Sequence, residues 1–299
     1  MERVGFIGLG IMGCPMSKNL LAKNPGMELL VYDIDKVATE QITAVGAVAA
    51  SPAEIGGCDV IFTILPNGDI VYDTILAMKD TLHSGSLFVD MSSVTPEDSR
   101  KCAEKLAEFG VEFLDAPVSG GEPKAIDGTL SFMVGGSEAA YSRALPLFMS
   151  MGASSVHIGA VGTGSITKLA NQVIVNLTIA AVSEGLVLAT KAGADPEKVY
   201  KAIRGGLAGS TVLDAKAPMI LERNFKAGGK ISVNHKDIKN VLTCAHSADV
   251  PLPLSATLFE IMQSLKIDGL MENDHGAIVR FYEKLAGVEV RPYSEDAKQ

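Results

Sequence analysis

The chain has 299 residues, which is long for a single hydrophobic core and favours two domains. Its net charge of −9 argues against a surface that binds nucleic acid or an anionic membrane. The four cysteines and five histidines show no metal-ligand spacing. We therefore expect a reduced cytoplasmic protein with no disulfide framework, no metal site and no leader segment at its N-terminus.

A glycine-rich turn follows the first predicted strand, Arg3 to Ile7, and leads into a predicted helix over Ile11 to Ala22. Its sequence is the G-x-G-x-x-G pattern of dinucleotide-binding folds, Gly8-Leu9-Gly10-Ile11-Met12-Gly13. In this pattern the first glycine permits a tight turn, the second admits a pyrophosphate and the third lets the helix pack on the strand. The start of the helix would hold the anion. An ordinary glycine-rich turn is the alternative interpretation.

The second predicted strand, Glu28 to Asp33, ends in an acid twenty positions after the last glycine of the turn. A carboxylate at this position binds the adenosine ribose of NAD and repels the 2′-phosphate of NADP. The next residue is Ile34, and no arginine stands nearby to receive a phosphate. The sequence therefore predicts NAD as the preferred cofactor, with NADP possible. Asp35, two residues later, could cap the following helix, which is an alternative role for an acid in this stretch.

Two more predicted strands, Cys58 to Leu65 and Ser86 to Met91, continue the alternation of strands and helices. Open parallel sheets bind ligands beyond the carboxyl ends of their strands. The residues that we expect to contact the cofactor there are Leu65, Pro66, Asn67 and Thr95. A plain turn is the alternative for the first three. Thr95 precedes a proline, which is typical of a helix N-cap with no further role.

The strand Val111 to Asp115 leads to Ser119-Gly120-Gly121, which offers a hydroxyl and consecutive backbone N–H groups. Such a concave arrangement suits a carboxylate, and a flexible loop is the alternative. Three predicted elements complete the first domain: Thr129 to Val134, Ser137 to Met151, and Ser154 to His157.

A long apolar helix opens the second half of the chain, at Gly162 to Gln172. Lys168 and Asn171 lie three positions apart, so they share one face of this helix. A lysine and an amide at the junction of two domains form a candidate catalytic pair, whereas a surface lysine near a helix start is the alternative. The most apolar window, Val173 to Thr190, contains polar residues and favours a buried core helix over a membrane span.

Four motifs in this order resemble the β-hydroxyacid dehydrogenase family. They are Gly5 to Gly13, Asp115 to Gly121, Gly162-x-Gly-x-x-x-Lys168-x-x-Asn171, and Lys236-Asp237. Two longer stretches, Gly121 to Thr129 and Gly205 to Pro218, resemble the branch of that family that acts on tartronate semialdehyde. Cys14 departs from that branch, which usually carries lysine there.

The resemblance implies an α/β fold: an N-terminal Rossmann domain (1–163) with a doubly wound, mostly parallel sheet, and an all-α C-terminal domain (164–290). A long interdomain helix from about Ser165 to Ala192 would join them, and the tail 291–299 is expected to be disordered. Helical spacing predicts the remaining helices at Glu197 to Arg204, Lys236 to Ala248, Pro253 to Asp268 and Asp274 to Ala286. The family commonly associates through this domain, so we expect a homo-oligomer, a dimer or tetramer.

The resemblance also implies the site. Lys168 would be the general acid and base, and Asn171 would orient the substrate and the lysine. Ser119, Gly120 and Gly121 would clamp the substrate carboxylate. Lys236 and Asp237 would lie near the nicotinamide and the substrate. Burial, Lys236 and the helix start would each favour loss of the Lys168 proton and lower its pKa.

The predicted reaction is reduction of tartronate semialdehyde to D-glycerate. Alternatives on the same fold are oxidation of 3-hydroxyisobutyrate and reduction of succinate semialdehyde or sulfolactaldehyde. A dinucleotide-binding protein without catalytic activity is the alternative class, and we expect such a protein to lack Lys168.

Overall fold

Among residues 3–293, which the computed structural model describes, the first half of the chain forms a nine-stranded sheet. The strands are β1 (Arg3–Ile7), β2 (Glu28–Tyr32), β3 (Val48–Ala49), β4 (Val60–Thr63), β5 (Leu87–Asp90), β6 (Glu112–Asp115), β7 (Val118–Ser119), β8 (Leu130–Gly135) and β9 (Gly152–Gly159). Their order across the sheet is β3-β2-β1-β4-β5-β6-β8-β7, and β9 pairs with β8. Strands β1 to β6 run parallel, whereas β8 is antiparallel to β6 and β7. The predicted doubly wound, mostly parallel sheet is confirmed.

Helices cover both faces of this sheet. They are α1 (Gly13–Lys23), α2 (Lys36–Thr43), α3 (Pro52–Ile55), α4 (Gly68–Met78), α5 (Pro96–Ala107), α6 (Gly121–Asp127) and α7 (Glu138–Met151). Successive strand residues point to opposite faces, so Phe6 and Ile7 belong to different apolar clusters. Phe6 packs with Phe62 and Phe148 in one layer, whereas Ile7 packs with Phe88 in the other. Burial on both faces explains the nearly unbroken apolar runs of the strands.

The second half of the chain is helical, as predicted. Helix α8 spans Thr163–Lys191 and is followed by α9 (Pro196–Ile203), α10 (Thr211–Leu221), α11 (Ile231–Ser247), α12 (Pro253–Ile267), a 3₁₀ helix (His275–Ile278) and α13 (Val279–Ala286). Helix α10 was not predicted because it contains Pro218, which is unfavourable inside a helix. Helix α11 begins five residues before the predicted start at Lys236, without a side-chain cap at Lys230 to mark its beginning.

The chain divides into two compact units, and the boundary between Leu169 and Ala170 lies inside α8. The predicted boundary at 163–164 coincides with the start of that helix. Residues 291–293 are exposed and lack regular structure. The rest of the predicted tail, 294–299, lies outside the described residues.

Helix α8 is long and apolar enough to cross a membrane by length and composition, and 33% of its most apolar window is buried. One such helix is weak evidence for a membrane span. Its inner face carries buried polar side chains such as Ser165, Gln172 and Ser183, while Ile174 and Leu188 are exposed on the outside. The prediction of a buried core helix therefore holds for one face only.

Candidate active site

Close backbone contacts at two glycines shape the glycine-rich turn after β1. Gly8 has a φ of +96°, and a Cβ there would overlap the carbonyl oxygen of Ile64. A Cβ on Gly13 would overlap the carbonyl oxygen of Gly8, so α1 can approach the strand only with glycine here. A Cβ on Gly10, in contrast, would meet no protein atom within 4 Å. This open space beside the start of α1 fits a dinucleotide phosphate.

The turn borders a cavity of about 550 Å³ on the same unit. Its lining residues come from the turn, α1, the end of β2, α2 and α6: Leu9, Gly10, Ile11, Cys14, Pro15, Lys18, Asn19, Asp33, Asp35, Ala38, Gln41, Glu122 and Ile126. Met12 packs against the apolar cluster that contains Phe6. Predicted cofactor residues from two separate segments, the turn and Asp33, therefore meet in one cavity.

Asp33 is held by two backbone donors. The N–H of Leu9 donates to its Oδ2 at 2.6 Å, and the N–H of Asp35 donates to its Oδ1 at 2.8 Å. A carboxylate has about four acceptor positions, so two remain for ribose hydroxyls. Asp35 accepts the N–H of Val37 at 2.9 Å and caps α2. Asp35 therefore fills the capping role, and the contact of Asp33 with the cofactor stays a prediction.

Two predicted cofactor residues at the ends of β4 and β5 are helix caps. The Asn67 Oδ1 accepts the N–H of Ile70 at 2.9 Å at the start of α4. Thr95 forms a capping box with Asp98 at the start of α5. Both residues stand at the carboxyl edge of the sheet, together with Leu65 and Pro66. Their contact with the cofactor stays a prediction.

Asp90, at the end of β5, is a buried acid that the sequence analysis did not single out. Its Oδ1 accepts hydrogen bonds from the hydroxyls of Thr63 at 2.8 Å and Ser92 at 2.5 Å. Ser92 Oγ in turn accepts the N–H of Leu65 at 2.8 Å. Burial raises the pKa of Asp90 to about 6, although these hydrogen bonds oppose the rise. Asp90 thus anchors the loop that carries the predicted cofactor contact Leu65.

Asp115, at the end of β6, fixes the beginning of α8. The N–H of Gly162 donates to its Oδ1 at 2.8 Å, and the N–H of Ser165 donates to its Oδ2 at 2.7 Å. Burial raises the pKa of Asp115, and these two backbone bonds oppose the rise. The carboxylate thereby caps the helix one turn before Lys168. The motif that contains Asp115 was noted in the sequence, but its role was missed because its partners lie 47 and 50 residues away.

Ser119, Gly120 and Gly121 form the end of β7 and the start of α6, not a flexible loop. The two glycines have φ values of +140° and +69°. A Cβ on Gly120 would overlap the Lys124 side chain, whereas a Cβ on Gly121 would meet Pro123 at 3.8 Å. The role of these residues as a carboxylate clamp stays a prediction.

Lys168 lies on α8, and its side chain is half-buried. The expected burial of its ammonium stays a prediction. The carboxylate of Asp115 lies at the N-terminus of this helix, where the helix dipole favours a negative charge.

In the second unit, a chain of hydrogen bonds joins three predicted site residues. Asn171 Nδ2 donates to Gln172 Oε1 at 3.1 Å, and Gln172 Nε2 donates to Asp237 Oδ2 at 2.5 Å. Lys236 Nζ pairs with the other carboxylate oxygen of Asp237 at 3.2 Å. Asn171, Lys236 and Asp237 are thus brought together through Gln172, which the sequence analysis did not assign to the site. The contact between Gln172 and Asp237 spans 65 residues, so local sequence carries no signal for it.

Comparisons with known proteins agree with this architecture. Residues 3–159 match the model of the NAD binding domain of 6-phosphogluconate dehydrogenase, and residues 162–282 match that of the NAD-binding domain of NADP-dependent 3-hydroxyisobutyrate dehydrogenase. The 2-hydroxy-3-oxopropionate reductase of Escherichia coli is 40% identical over 289 residues, 95% of this chain and 98% of that protein. The 2-(hydroxymethyl)glutarate dehydrogenase of Eubacterium barkeri is 34% identical, covering 96% of this chain and 97% of that protein.

Among solved structures, the 3-hydroxyisobutyrate dehydrogenase of Mycobacterium tuberculosis with L-serine superposes with a TM-score of 0.87 at 28% identity. The match covers 94% of this chain and 98% of that one. Family models and relatives alike span both units. This chain therefore belongs to the β-hydroxyacid dehydrogenase family and is an NAD(P)-dependent oxidoreductase.

Proposed function

We propose that this enzyme reduces 2-hydroxy-3-oxopropionate, also called tartronate semialdehyde, to D-glycerate, and that it prefers NADH. The observation that carries the substrate is the 40% identity to the Escherichia coli 2-hydroxy-3-oxopropionate reductase over 95% of this chain. The preference for NADH rests on Asp33, whose carboxylate faces the cavity beside the glycine-rich turn.

Some residues of this chain would bind the cofactor and the substrate, and Lys168 would transfer the proton. Gly8 to Gly13 and Asp33 would hold the dinucleotide, which supplies a hydride to the aldehyde carbon when bound. Ser119, Gly120 and Gly121 would bind the substrate carboxylate through backbone N–H groups and a hydroxyl. Lys168 would donate a proton to the carbonyl oxygen as that oxygen gains negative charge. In the reverse direction the same amine would accept the hydroxyl proton.

The second unit would orient the reacting groups. Asn171 follows Lys168 by three positions on α8, so both side chains lie on one face of the helix. Lys236 would supply positive charge, and Asp237 would hold it through their ion pair. We also propose a homo-oligomeric enzyme of the cytoplasm that acts on small acids and binds neither nucleic acid nor membranes.

A steady-state panel tests the substrate. The purified enzyme would be assayed with NADH and NADPH against 2-hydroxy-3-oxopropionate, methylmalonate semialdehyde, succinate semialdehyde and sulfolactaldehyde. D-glycerate and 3-hydroxyisobutyrate would be assayed in the reverse direction. We expect the highest kcat/KM for 2-hydroxy-3-oxopropionate with NADH. A higher kcat/KM for another aldehyde would overturn the proposed substrate, and a preference for NADPH would overturn the proposed cofactor.

A further inference from the structure

Gln172 lies between two predicted site residues and has no role in the proposed reaction so far. We propose that Gln172 is a positioning residue: it turns the Asn171 side chain so that its amide oxygen is left to accept a hydrogen bond from a hydroxyl next to the substrate aldehyde. This inference rests on the proposed function, because it assigns the feature of the substrate that Asn171 recognises.

The side chain of Asp237 is buried and paired with Lys236. A carboxylate only accepts hydrogen bonds, so any neutral partner must present a donor to it. Gln172 is also buried, and its Nε2 donates to Asp237 Oδ2 at 2.5 Å. The carboxylate therefore fixes which end of the Gln172 amide faces it.

The orientation passes from Gln172 to Asn171. With its Nε2 committed to Asp237, Gln172 offers its Oε1 on the other side. An amide oxygen can bind only a donor, and Asn171 Nδ2 donates to this oxygen at 3.1 Å. The Asn171 Oδ1 is then the end that remains for another donor. A flipped Asn171 would set two oxygens against each other and leave a buried acceptor unpaired.

Asn176 contacts Gln172 at its main chain, away from its side-chain amide. Asn176, which is buried one turn later on α8, donates from its Nδ2 to the Gln172 carbonyl oxygen at 2.9 Å. The Asn176 Oδ1 has no partner among the described residues. Asn176 thus belongs to the same helix face but stands outside the relay of side-chain amides, which makes it a suitable control.

An Asn171 held in this way would discriminate between two aldehydes. 2-Hydroxy-3-oxopropionate and methylmalonate semialdehyde differ in that the first carries a hydroxyl, and the second a methyl group, beside the aldehyde. A site built to bind a hydroxyl rejects an analogue that lacks it, because its own polar group is then left unpaired. The Asn171 Oδ1, held in this orientation, would favour the substrate that carries the hydroxyl.

The experiment compares the two aldehydes in wild type, Gln172→Met and Asn176→Leu, with saturating NADH. Methionine has about the length of glutamine but has no amide, so it cannot bind Asp237 and Asn171 in the same way. We expect the ratio of kcat/KM for the hydroxyl substrate over the methyl substrate to fall about 10-fold in Gln172→Met, the effect of one lost hydrogen bond. The KM for NADH should stay unchanged, and Asn176→Leu should keep the wild-type ratio. An unchanged ratio in Gln172→Met, in a wild type that prefers the hydroxyl substrate, would overturn the inference.

A second measurement does not depend on activity. In protein labelled with ¹⁵N-asparagine, the side-chain amide signal of Asn171 can be assigned by its loss in Asn171→Asp. We expect slow hydrogen exchange at this amide in wild type and Asn176→Leu, and fast exchange in Gln172→Met. Equal exchange in wild type and Gln172→Met would refute the relay. A wild type that shows the relay but no preference for the hydroxyl substrate would refute the proposed function alone.

Discussion

At the scale of single residues, the acids that end the strands of the sheet have three different tasks. Asp33 faces the cavity, Asp90 anchors the loop at Leu65, and Asp115 caps α8. Only Asp33 could be assigned from the sequence, because its task is defined by its spacing from the glycine-rich turn. Asp90 also binds Thr63, 27 residues away, and Asp115 binds backbone groups 47 and 50 residues away, so local sequence did not reveal these contacts.

Replacement of Asp33 tests the cofactor assignment. We expect Asp33→Ala to lower the ratio of kcat/KM for NADH over kcat/KM for NADPH by about 10-fold or more. The variant loses both the hydrogen bond between the carboxylate and the ribose of NADH and the repulsion between the carboxylate and the 2′-phosphate of NADPH. Asp35→Ala is the matched control, since it removes a carboxylate that lines the same cavity but caps α2. Equal ratios in wild type and Asp33→Ala would contradict the assignment.

At the scale of elements, α8 is the helix on which the site depends. Its existence and length were predictable from the long apolar run after Gly162, and its predicted bounds differ from Thr163–Lys191 by one or two residues. Its anchorage was not predictable, because the cap comes from β6 through Asp115. Gly164 allows this docking, since a Cβ there would overlap the carbonyl oxygens of Asp115 and Met133.

Removal of the cap should loosen the helix start. We expect Asp115→Ala to lower the free energy of unfolding by about 2–4 kcal/mol, because two buried backbone N–H groups lose their acceptors. Turnover should fall as well, since Lys168 lies one turn further along. Ser99→Ala removes the hydroxyl contacts with Ser165 at 2.9 Å and with the Thr95 carbonyl oxygen at 3.3 Å, and should cost about 1 kcal/mol. Urea unfolding with equal midpoints for wild type and Asp115→Ala would refute the capping role.

At the scale of the whole molecule, the parallel sheet and the helical second half followed from periodicity and from the order of the motifs. The short elements α3 and α6 did not, because a few residues carry too little periodic signal. The half-buried state of Lys168 could not be predicted either, since exposure depends on how distant segments pack.

The outer face of α8 supports the proposed oligomer. Ile174 and Leu188 are 67% and 70% exposed, and fourteen positions place them near one face of the helix. We expect light scattering to give a mass of two or four chains, and Ile174→Glu to reduce it. Val37→Glu, at an exposed position on α2, should leave the mass unchanged. A wild-type mass of one chain would contradict the proposal.

The central claim is that Lys168 transfers the proton in this reaction. The most direct test is the turnover of Lys168→Ala with saturating 2-hydroxy-3-oxopropionate and NADH, beside Lys191→Ala, which changes an exposed lysine at the other end of the same helix. We predict a turnover about 10²–10⁴-fold below wild type for Lys168→Ala, unchanged binding of NADH, and wild-type turnover for Lys191→Ala. A turnover of Lys168→Ala within about 3-fold of wild type would contradict the account, because general acid catalysis contributes far more than that.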